Sequence, residues 1–156
     1  MTTVALQQTA PVLGDVESNT EEILALAKSS LEKADIVFFP ELAISGYISV
    51  LGDLESLAQE IDGPLVTSLQ KISATHGGLS VVGFPEREGS EFFNTVAIIG
   101  SDGPILKYRK MHLFDSEKTS YSPGDDLPVI ETEFGVLAAS ICYDLRFVEV
   151  LRILSL

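Results

Sequence analysis

The chain carries its only cysteine, Cys142, at the end of a short apolar run that covers residues 136–141. Small and β-branched residues dominate this run, which predicts a strand buried on both faces. Beyond Asp144 apolar residues recur every three positions, which predicts a helix directly after the strand. In α/β folds, reactive groups lie at the C-terminal ends of such strands. A lone cysteine is nevertheless more often a small core residue, so the rest of the chain must decide between the two interpretations.

The length and the charge of the chain limit what it can be. Its 156 residues suffice for a single domain, and its net charge of −13 argues against nucleic acid or an anionic membrane as a partner. One cysteine rules out an intrachain disulfide and a cysteine-based metal cluster. The N-terminus does not resemble a signal peptide, and no apolar run reaches the roughly 18 residues that a membrane span needs. We therefore expect a soluble protein of a reducing cytoplasm.

Alternating apolar strands and amphipathic helices predict an α/β fold. Residues 18–21 read as a capping box for a helix that continues to about Ala34, and Pro64 begins another helix that ends at residues 76–78. A short helix is also predicted at 54–61. The predicted strands cover residues 3–9, 35–40, 79–85, 92–99, 104–110, 128–132 and 135–141. Most are apolar on both faces, which predicts sheets packed against each other on one side and covered by helices on the other.

Two polar segments of the chain are predicted to lie outside these elements. Residues 86–91 are mostly charged, which predicts a solvated turn between two strands. Residues 111–126 show no sustained period and include Pro123, which predicts a long loop. Long loops inside compact domains are often functional.

Three polar residues follow buried strands, and together they could perform covalent catalysis. Glu41, Lys110 and Cys142 supply a base, a cation and a nucleophile, although each alone could be an ordinary turn or surface residue. A free thiol is mostly protonated at neutral pH, and a carboxylate within hydrogen-bond reach can accept its proton. A nearby ammonium group favours the thiolate and can stabilise an oxyanion.

Three segments of the sequence resemble the signature segments of the nitrilase, or carbon–nitrogen hydrolase, superfamily. They are FPELAISGY at 39–47, YRKMHLF at 108–114 and CYDLRF at 142–147, and they occur in the family's order. The resemblance covers the whole chain, so residues 1–156 are expected to form a single carbon–nitrogen hydrolase domain. It implies a four-layer α-β-β-α sandwich without a metal or an organic cofactor.

The resemblance also implies roles for individual residues. Glu41 corresponds to the general base, Lys110 to the cation on the oxyanion side and Cys142 to the nucleophile. Glu117 resembles the family's second glutamate, which helps to hold the lysine and the substrate. The substrate-binding residues are expected to include Tyr47 and Tyr143.

The implied reaction is the hydrolysis of a C–N bond in a small linear amide through a cysteine thioester, as in the amidase-like branches of the superfamily. Two alternatives remain open: a catalytically impaired fragment or interaction module, and an acyl- or carbamoyl-transfer branch of the same family. Family members commonly pair through helices near the nucleophile, so a homo-oligomer is expected.

The sequence departs from the family pattern in two ways. Val148 stands where the family usually has proline, which is expected to alter the helix start and not the chemistry. Family members are also considerably longer, so we expect this chain to be an N-terminal portion of the fold that is impaired alone. A sheet without its partner would expose an apolar face.

A catalytic pair of cysteine and histidine is the remaining alternative for the site. His112 lies two residues beyond Lys110, so an extended chain would point both side chains the same way. His76 lies at a predicted helix end, where a solvated position is expected. A pair between Cys142 and either histidine is therefore conceivable but not favoured.

Overall fold

The computed structural model describes residues 1–48 and 51–156, which form an α/β fold. Within these ranges the strands are β1 (Val4–Leu6), β2 (Ile36–Phe38), β3 (Leu79–Glu88), β4 (Glu91–Gly100), β5 (Gly103–Arg109), β6 (Val129–Thr132) and β7 (Gly135–Ala138). The α-helices are α1 (Val16–Leu31), α2 (Leu51–Leu57), α3 (Pro64–His76) and α4 (Val148–Leu154). Two 3₁₀ turns, Asp115–Thr119 and Cys142–Arg146, complete these elements. No helix in the described ranges is long and apolar enough to cross a membrane.

In the described residues, β1 to β5 form one mixed sheet in sequence order. The pairs β1–β2 and β2–β3 are parallel, whereas β3–β4 and β4–β5 are antiparallel. Helices α1 and α3 cover one face of this sheet, because their apolar stripes pack on the alternate strand residues Val37, Val82 and Ala97. The predicted start and end of α3 are confirmed, since Pro64 lies in its first turn and Gly77 ends it with a φ of 74°.

Helix α1 begins earlier than the predicted capping box. Its N-cap is Asp15, whose carboxylate accepts a hydrogen bond from the backbone amide of Ser18 at 3.1 Å. Aspartate is as good an N-cap as serine, and it stands three positions ahead of the box, so Ser18 lies inside the first turn. The capping-box prediction is therefore wrong in register, and the helix ends at Leu31 and not at Ala34.

The hairpin of β6 and β7 packs on the other face of the five-stranded sheet. Leu137 and Ile141 contact a cluster that includes Ile36, Val81 and Ile98, the strand residues that alternate with those under the helices. The order of helices, sheet and second sheet is the one that the sequence predicted. This cluster is the layer between the two sheets.

The strand before Cys142 is shorter and more exposed than predicted. Strand β7 ends at Ala138, and Val136 is 67% exposed. The prediction of a strand buried on both faces is wrong, because the outer face of the hairpin is open among the described residues. The apolar composition of a strand shows that it tends to be buried. Whether both of its faces are covered depends on residues elsewhere in the fold, which the composition of the strand does not reveal.

Apolar residues of β1 are exposed on the face between the sheets. Val4 and Leu6 pair in register with Ile36 and Phe38 and therefore point to the same side of the sheet. Leu6 is 73% exposed, whereas Ile36 is 2% exposed. This edge of the sheet consequently presents apolar surface to solvent.

The prediction of a solvated turn at 86–91 is wrong for Glu86. Strand β3 extends to Glu88, and Glu86 is 1% exposed. Its carboxylate accepts hydrogen bonds from Arg109 at 2.7 and 2.8 Å and from Lys107 at 3.0 Å. Burial alone would raise the pKa of Glu86, but the bonds from Arg109, Thr95 and Lys107 outweigh it and lower this pKa. Opposite charges on β5 therefore make the burial of Glu86 possible.

Candidate active site

Glu41 reaches the site because the backbone after β2 passes very close to β3. Gly83 of β3 has no side chain, and a Cβ atom there would lie 2.6 Å from the carbonyl oxygen of Pro40 and 2.8 Å from the Cα atom of Glu41. The amide of Ala43 donates to the carbonyl of Gly83 at 2.8 Å and fixes this approach. Gly83 therefore sets the depth at which the Glu41 carboxylate enters the fold.

Lys110 follows β5 and lies between two carboxylates. Its ammonium group donates to Glu41 Oε1 at 2.7 Å and to Glu117 Oε2 at 2.8 Å. The side chains of Lys110 and Glu117 are fully buried, whereas that of Glu41 is 21% exposed. The structure thus brings together three of the residues that the sequence singled out, and Glu41 is the one with access to solvent.

These two carboxylates keep Lys110 in its protonated, positively charged form. Burial of the ammonium group would lower the pKa of Lys110, but hydrogen bonds and attraction from Glu117 and Glu41 outweigh it and raise this pKa. Lys110 is therefore a permanent cation at neutral pH, and it cannot serve as a base. A cation at this depth can support negative charge on neighbouring oxygen atoms.

Glu117 lies on a 3₁₀ turn inside the predicted loop 111–126. Its Oε2 atom accepts a hydrogen bond from the backbone amide of Phe114 at 2.7 Å and closes this turn around Asp115–Thr119. The segment is therefore not a featureless loop. The turn is built so that its one buried residue, Glu117, faces Lys110.

Asn94 of β4 is a site residue that the sequence interpretation missed. Its amide nitrogen donates to Glu41 Oε1 at 2.7 Å and to Glu117 Oε1 at 2.8 Å, and the residue is fully buried. One side chain therefore bridges both carboxylates and fixes their separation. A polar residue within the apolar stretch FFNTVAII was the available signal, because a buried amide needs partners.

Cys142 begins the 3₁₀ turn Cys142–Arg146 with a φ of 44°. This left-handed conformation costs a non-glycine residue about 1–3 kcal/mol and occurs preferentially at functional sites. Cys142 is exposed and lines one cavity together with Glu41. The strained turn therefore presents the thiol at the surface next to the carboxylate.

The pKa of Cys142 is raised, although the sequence suggested that Lys110 would favour the thiolate. The largest cause is partial desolvation of the thiol, and the second is the negative charge of Glu41. The positive charge of Lys110 lowers the pKa, but its effect is smaller than either of these. The thiol is therefore protonated in the resting site. A carboxylate close to a protonated thiol is a group that can accept its proton.

The two tyrosines predicted to bind substrate lie in different surroundings. Tyr47 is half-exposed, and its pKa is raised, first by partial burial and then by the charge of Glu117. It therefore lies at the mouth of the site. The ring of Tyr143 packs against Phe114 and Phe147, with ring centres at 5.1 and 5.4 Å.

The structure does not support a pair between Cys142 and a histidine. The Nδ1 atom of His112 lies 2.9 Å from Asp144 Oδ1, and its ring stacks on Phe147 at 3.6 Å. His76 is the last residue of α3. After β5 the chain is not an extended strand, so His112 does not share the direction of Lys110, and the sequence argument for the pair fails.

A cavity of about 340 Å³ lies between the two sheets and reaches the site. Its wall is mostly apolar and includes Phe38, Val81 and Leu137, whereas Glu41 and Cys142 contribute polar groups. A site of this kind combines apolar volume with a few reactive groups, as small-molecule sites commonly do.

Comparison with known proteins agrees with this geometry. The family model described as carbon-nitrogen hydrolase matches residues 3–156, which is nearly the whole chain. The chain belongs to the carbon–nitrogen hydrolase family. The resemblance of the three segments to the nitrilase superfamily is thereby confirmed.

Individual members of the carbon–nitrogen hydrolase family show the same similarity. The chain is 34% identical to the omega-amidase NIT2-B of Xenopus laevis, over 92% of this chain and 55% of that protein. It is 33% identical to a nitrilase of Pyrococcus abyssi, over 100% of this chain and 61% of that protein. The chain thus spans little more than half the length of these relatives.

Solved structures of the family share the fold. The protein XC1258 of Xanthomonas campestris, described as a CN-hydrolase superfamily protein with an arsenic adduct in the active site, matches with a TM-score of 0.84 and 26% identity. The match covers 94% of this chain and 55% of that one. The α/β architecture predicted from the sequence is therefore confirmed by structural neighbours.

Proposed function

We propose that this carbon–nitrogen hydrolase domain cleaves the C–N bond of a small linear amide through a thioester on Cys142. The observation that carries the proposal is the position of Glu41, whose carboxylate binds the Lys110 ammonium at 2.7 Å and lines the same cavity as Cys142. A base, a cation and a nucleophile gathered at one site are the groups that acyl transfer to a thiol requires.

The first half of the proposed reaction forms the thioester. Glu41 accepts the proton of the Cys142 thiol as the sulfur attacks the amide carbon, so that a C–S bond forms and the carbonyl oxygen becomes an oxyanion. Lys110 and a backbone amide near Tyr143 stabilise this oxyanion, and one such donor is typically worth about 2.7–4 kcal/mol. Glu41 then gives the proton to the nitrogen as the C–N bond breaks, and ammonia or an amine leaves.

The second half hydrolyses the thioester. Glu41 takes a proton from water while the water oxygen attacks the thioester carbon. The C–S bond breaks, the sulfur recovers the proton from Glu41, and a carboxylic acid is released. The same carboxylate therefore acts as base and acid in both halves, and Lys110 and Asn94 hold it in position for this work.

A small substrate suits the dimensions of the site. The cavity of about 340 Å³ next to Cys142 has a mostly apolar wall that can accept the carbon chain of an amide. Tyr47 is half-exposed close to the charged groups of the site, where its hydroxyl can contact a polar end of the substrate. The omega-amidase and the nitrilase among the relatives also favour a small-molecule substrate.

A second candidate is a catalytically impaired module that binds other chains. The observation in its favour is the exposed apolar surface of Val4 and Leu6. Exposed apolar surface favours association, so a homo-oligomer is part of the proposal in either case. A cytoplasmic location remains a prediction that rests on the sequence alone.

Ammonia release from a panel of small linear amides tests the proposed function. The purified chain should release ammonia and acid in equal amounts. The Cys142→Ala variant should release neither, although its melting temperature should be similar to that of the unmodified chain. Hydroxylamine offered together with water shows whether the thioester prefers another acceptor. A folded chain that releases no ammonia from any amide of the panel would support the impaired module.

A further inference from the structure

The carboxylate of Asp144 is the point at which the lysine segment and the cysteine segment meet. Asp144 is fully buried and lies two positions after Cys142. In the part of the chain that the structure describes, this carboxylate accepts four hydrogen bonds. The donors are the hydroxyl of Tyr108 at 2.6 Å, the amide of Ile141 at 3.0 Å, the amide of His112 at 3.0 Å and the Nδ1 atom of His112 at 2.9 Å.

The donors to the Asp144 carboxylate come from residues that flank Lys110 and Cys142 in the sequence. Tyr108 and His112 stand two residues before and two residues after Lys110, and Ile141 directly precedes Cys142. A carboxylate oxygen only accepts hydrogen bonds, so the contact requires a proton on Nδ1 of His112. Asp144 therefore connects the residues on both sides of Lys110 to the turn Cys142–Arg146 through hydrogen bonds.

Asp144 also closes the turn itself. Its side chain accepts from the N-cap amide of Ile141, and its own amide donates to the carbonyl of Ile141 at 3.0 Å. These bonds offset the left-handed conformation of Cys142. At the other end of the turn, Phe147 stacks on the ring of His112 at 3.6 Å, so both ends of the turn are tied to the Lys110 segment.

We propose that Asp144 is a positioning residue that holds the thiol of Cys142 against the carboxylate of Glu41. It acts through the backbone turn and through its hydrogen bonds to Tyr108 and His112. The inference rests on the proposed function of Cys142 as nucleophile. Its consequence is that loss of the Asp144 carboxylate uncouples Cys142 from Glu41 even where the fold survives.

Asp144→Asn is the appropriate variant, because it keeps the shape but replaces one acceptor oxygen by a donor that faces other donors. A displacement of the order of 1 Å can cost about 100-fold in rate, so we expect kcat to fall by about that factor with little change in KM. Tyr108→Phe removes a single hydroxyl and should lower kcat by less. Asp102→Asn, in an exposed turn, is the matched control and should leave kcat unchanged.

A readout that does not depend on amide turnover separates this inference from the proposed function. The rate of Cys142 alkylation by iodoacetamide is measured against pH, with and without Glu41→Gln. In the unmodified chain and in Asp102→Asn, loss of the Glu41 charge should shift the profile to lower pH. In Asp144→Asn the shift should be much smaller, since the thiol has moved away from residue 41.

The outcomes are distinct. An undiminished shift in Asp144→Asn overturns the inference, and so does a lower melting temperature with unchanged kcat per folded molecule. If Asp144→Asn does not fold, the same comparison in Tyr108→Phe decides, and a full shift there overturns the inference as well. A chain without any amidase activity refutes the proposed function but leaves the alkylation test of Asp144 intact.

Discussion

The Glu41 carboxylate accepts a hydrogen bond from the Lys110 ammonium at 2.7 Å, although 69 positions separate the two residues in the sequence. Glu117 binds the same ammonium from its other side at 2.8 Å. With two carboxylates around one cation, the group retains a negative charge, and the exposed part of this charge lies on Glu41. After burial, the negative charge of Glu41 is the next largest cause that raises the pKa of the neighbouring Cys142 thiol.

The pH dependence of Cys142 reactivity should report the charge of Glu41. Burial and the Glu41 carboxylate raise the pKa of Cys142, so alkylation should require a higher pH than for an ordinary thiol. Glu41→Gln removes the negative charge while Lys110 remains, so the profile should move to lower pH. The same substitution should abolish ammonia release. An unchanged profile in Glu41→Gln would show that the two groups are not coupled.

Removal of the buried cation should destabilise the chain strongly. Lys110→Met leaves the fully buried Glu117 without its partner, and loss of one member of a buried pair typically costs about 3–5 kcal/mol. Urea unfolding measures this loss of stability. Lys118→Met, at an exposed position next to Glu117, is the matched control and should change stability by less than about 0.5 kcal/mol.

The double variant Lys110→Met with Glu117→Gln distinguishes pairing from packing. In the double variant residue 117 is neutral, so the loss of the Lys110 cation no longer leaves an unpaired buried charge. The double variant should therefore lose less stability than the sum of the losses in the two single variants. Strict additivity would contradict the proposed electrostatic coupling.

The ion-paired Glu86 should contribute stability at neutral pH but not in acid. The pKa of Glu86 in the fold lies below its ordinary value of 4.5. Its contribution is therefore fully present above pH 4.5 and is lost as the pH falls through the lowered pKa. Glu86→Gln should melt well below the unmodified chain at pH 7, and the difference should close in acid. Glu88→Gln, at a 61% exposed position beside the same arginine, should melt almost like the unmodified chain.

The apolar edge at β1 should drive association of the chain. Leu6 is 73% exposed on the face between the sheets, so we expect light scattering after size exclusion to detect species larger than a monomer. Leu6→Glu should shift the distribution toward the monomer. Ser29→Glu adds the same charge on the exposed side of α1 and should leave it unchanged. A monomeric unmodified chain at all concentrations would refute the prediction.

The sequence predicted the parts of the site that follow strand ends. Glu41 and Lys110 could be found because an apolar run stops at each of them, and the three similar segments identified the family. Helix α3 was equally clear, since Pro64 and Gly77 define its ends by backbone geometry alone. These features depend on residues that are close to one another in the sequence, so a single sequence is enough to predict them.

The remaining features depend on contacts between distant residues. The burial of Glu86 requires Arg109 from β5, and the approach of Glu41 requires the absence of a side chain at Gly83. The bridging role of Asn94 requires both Glu41 and Glu117 to be in place. The exposure of β7 likewise depends on what covers its outer face and not on its composition.

Mass spectrometry of the acid-quenched chain during turnover of a small linear amide shows whether Cys142 carries the acyl group during hydrolysis. We expect that the protein gains the mass of the acyl group, that the modified peptide contains Cys142, and that Cys142→Ala gains no mass. Amide hydrolysis that persists in Cys142→Ala, or an acyl group found on another residue, would contradict it.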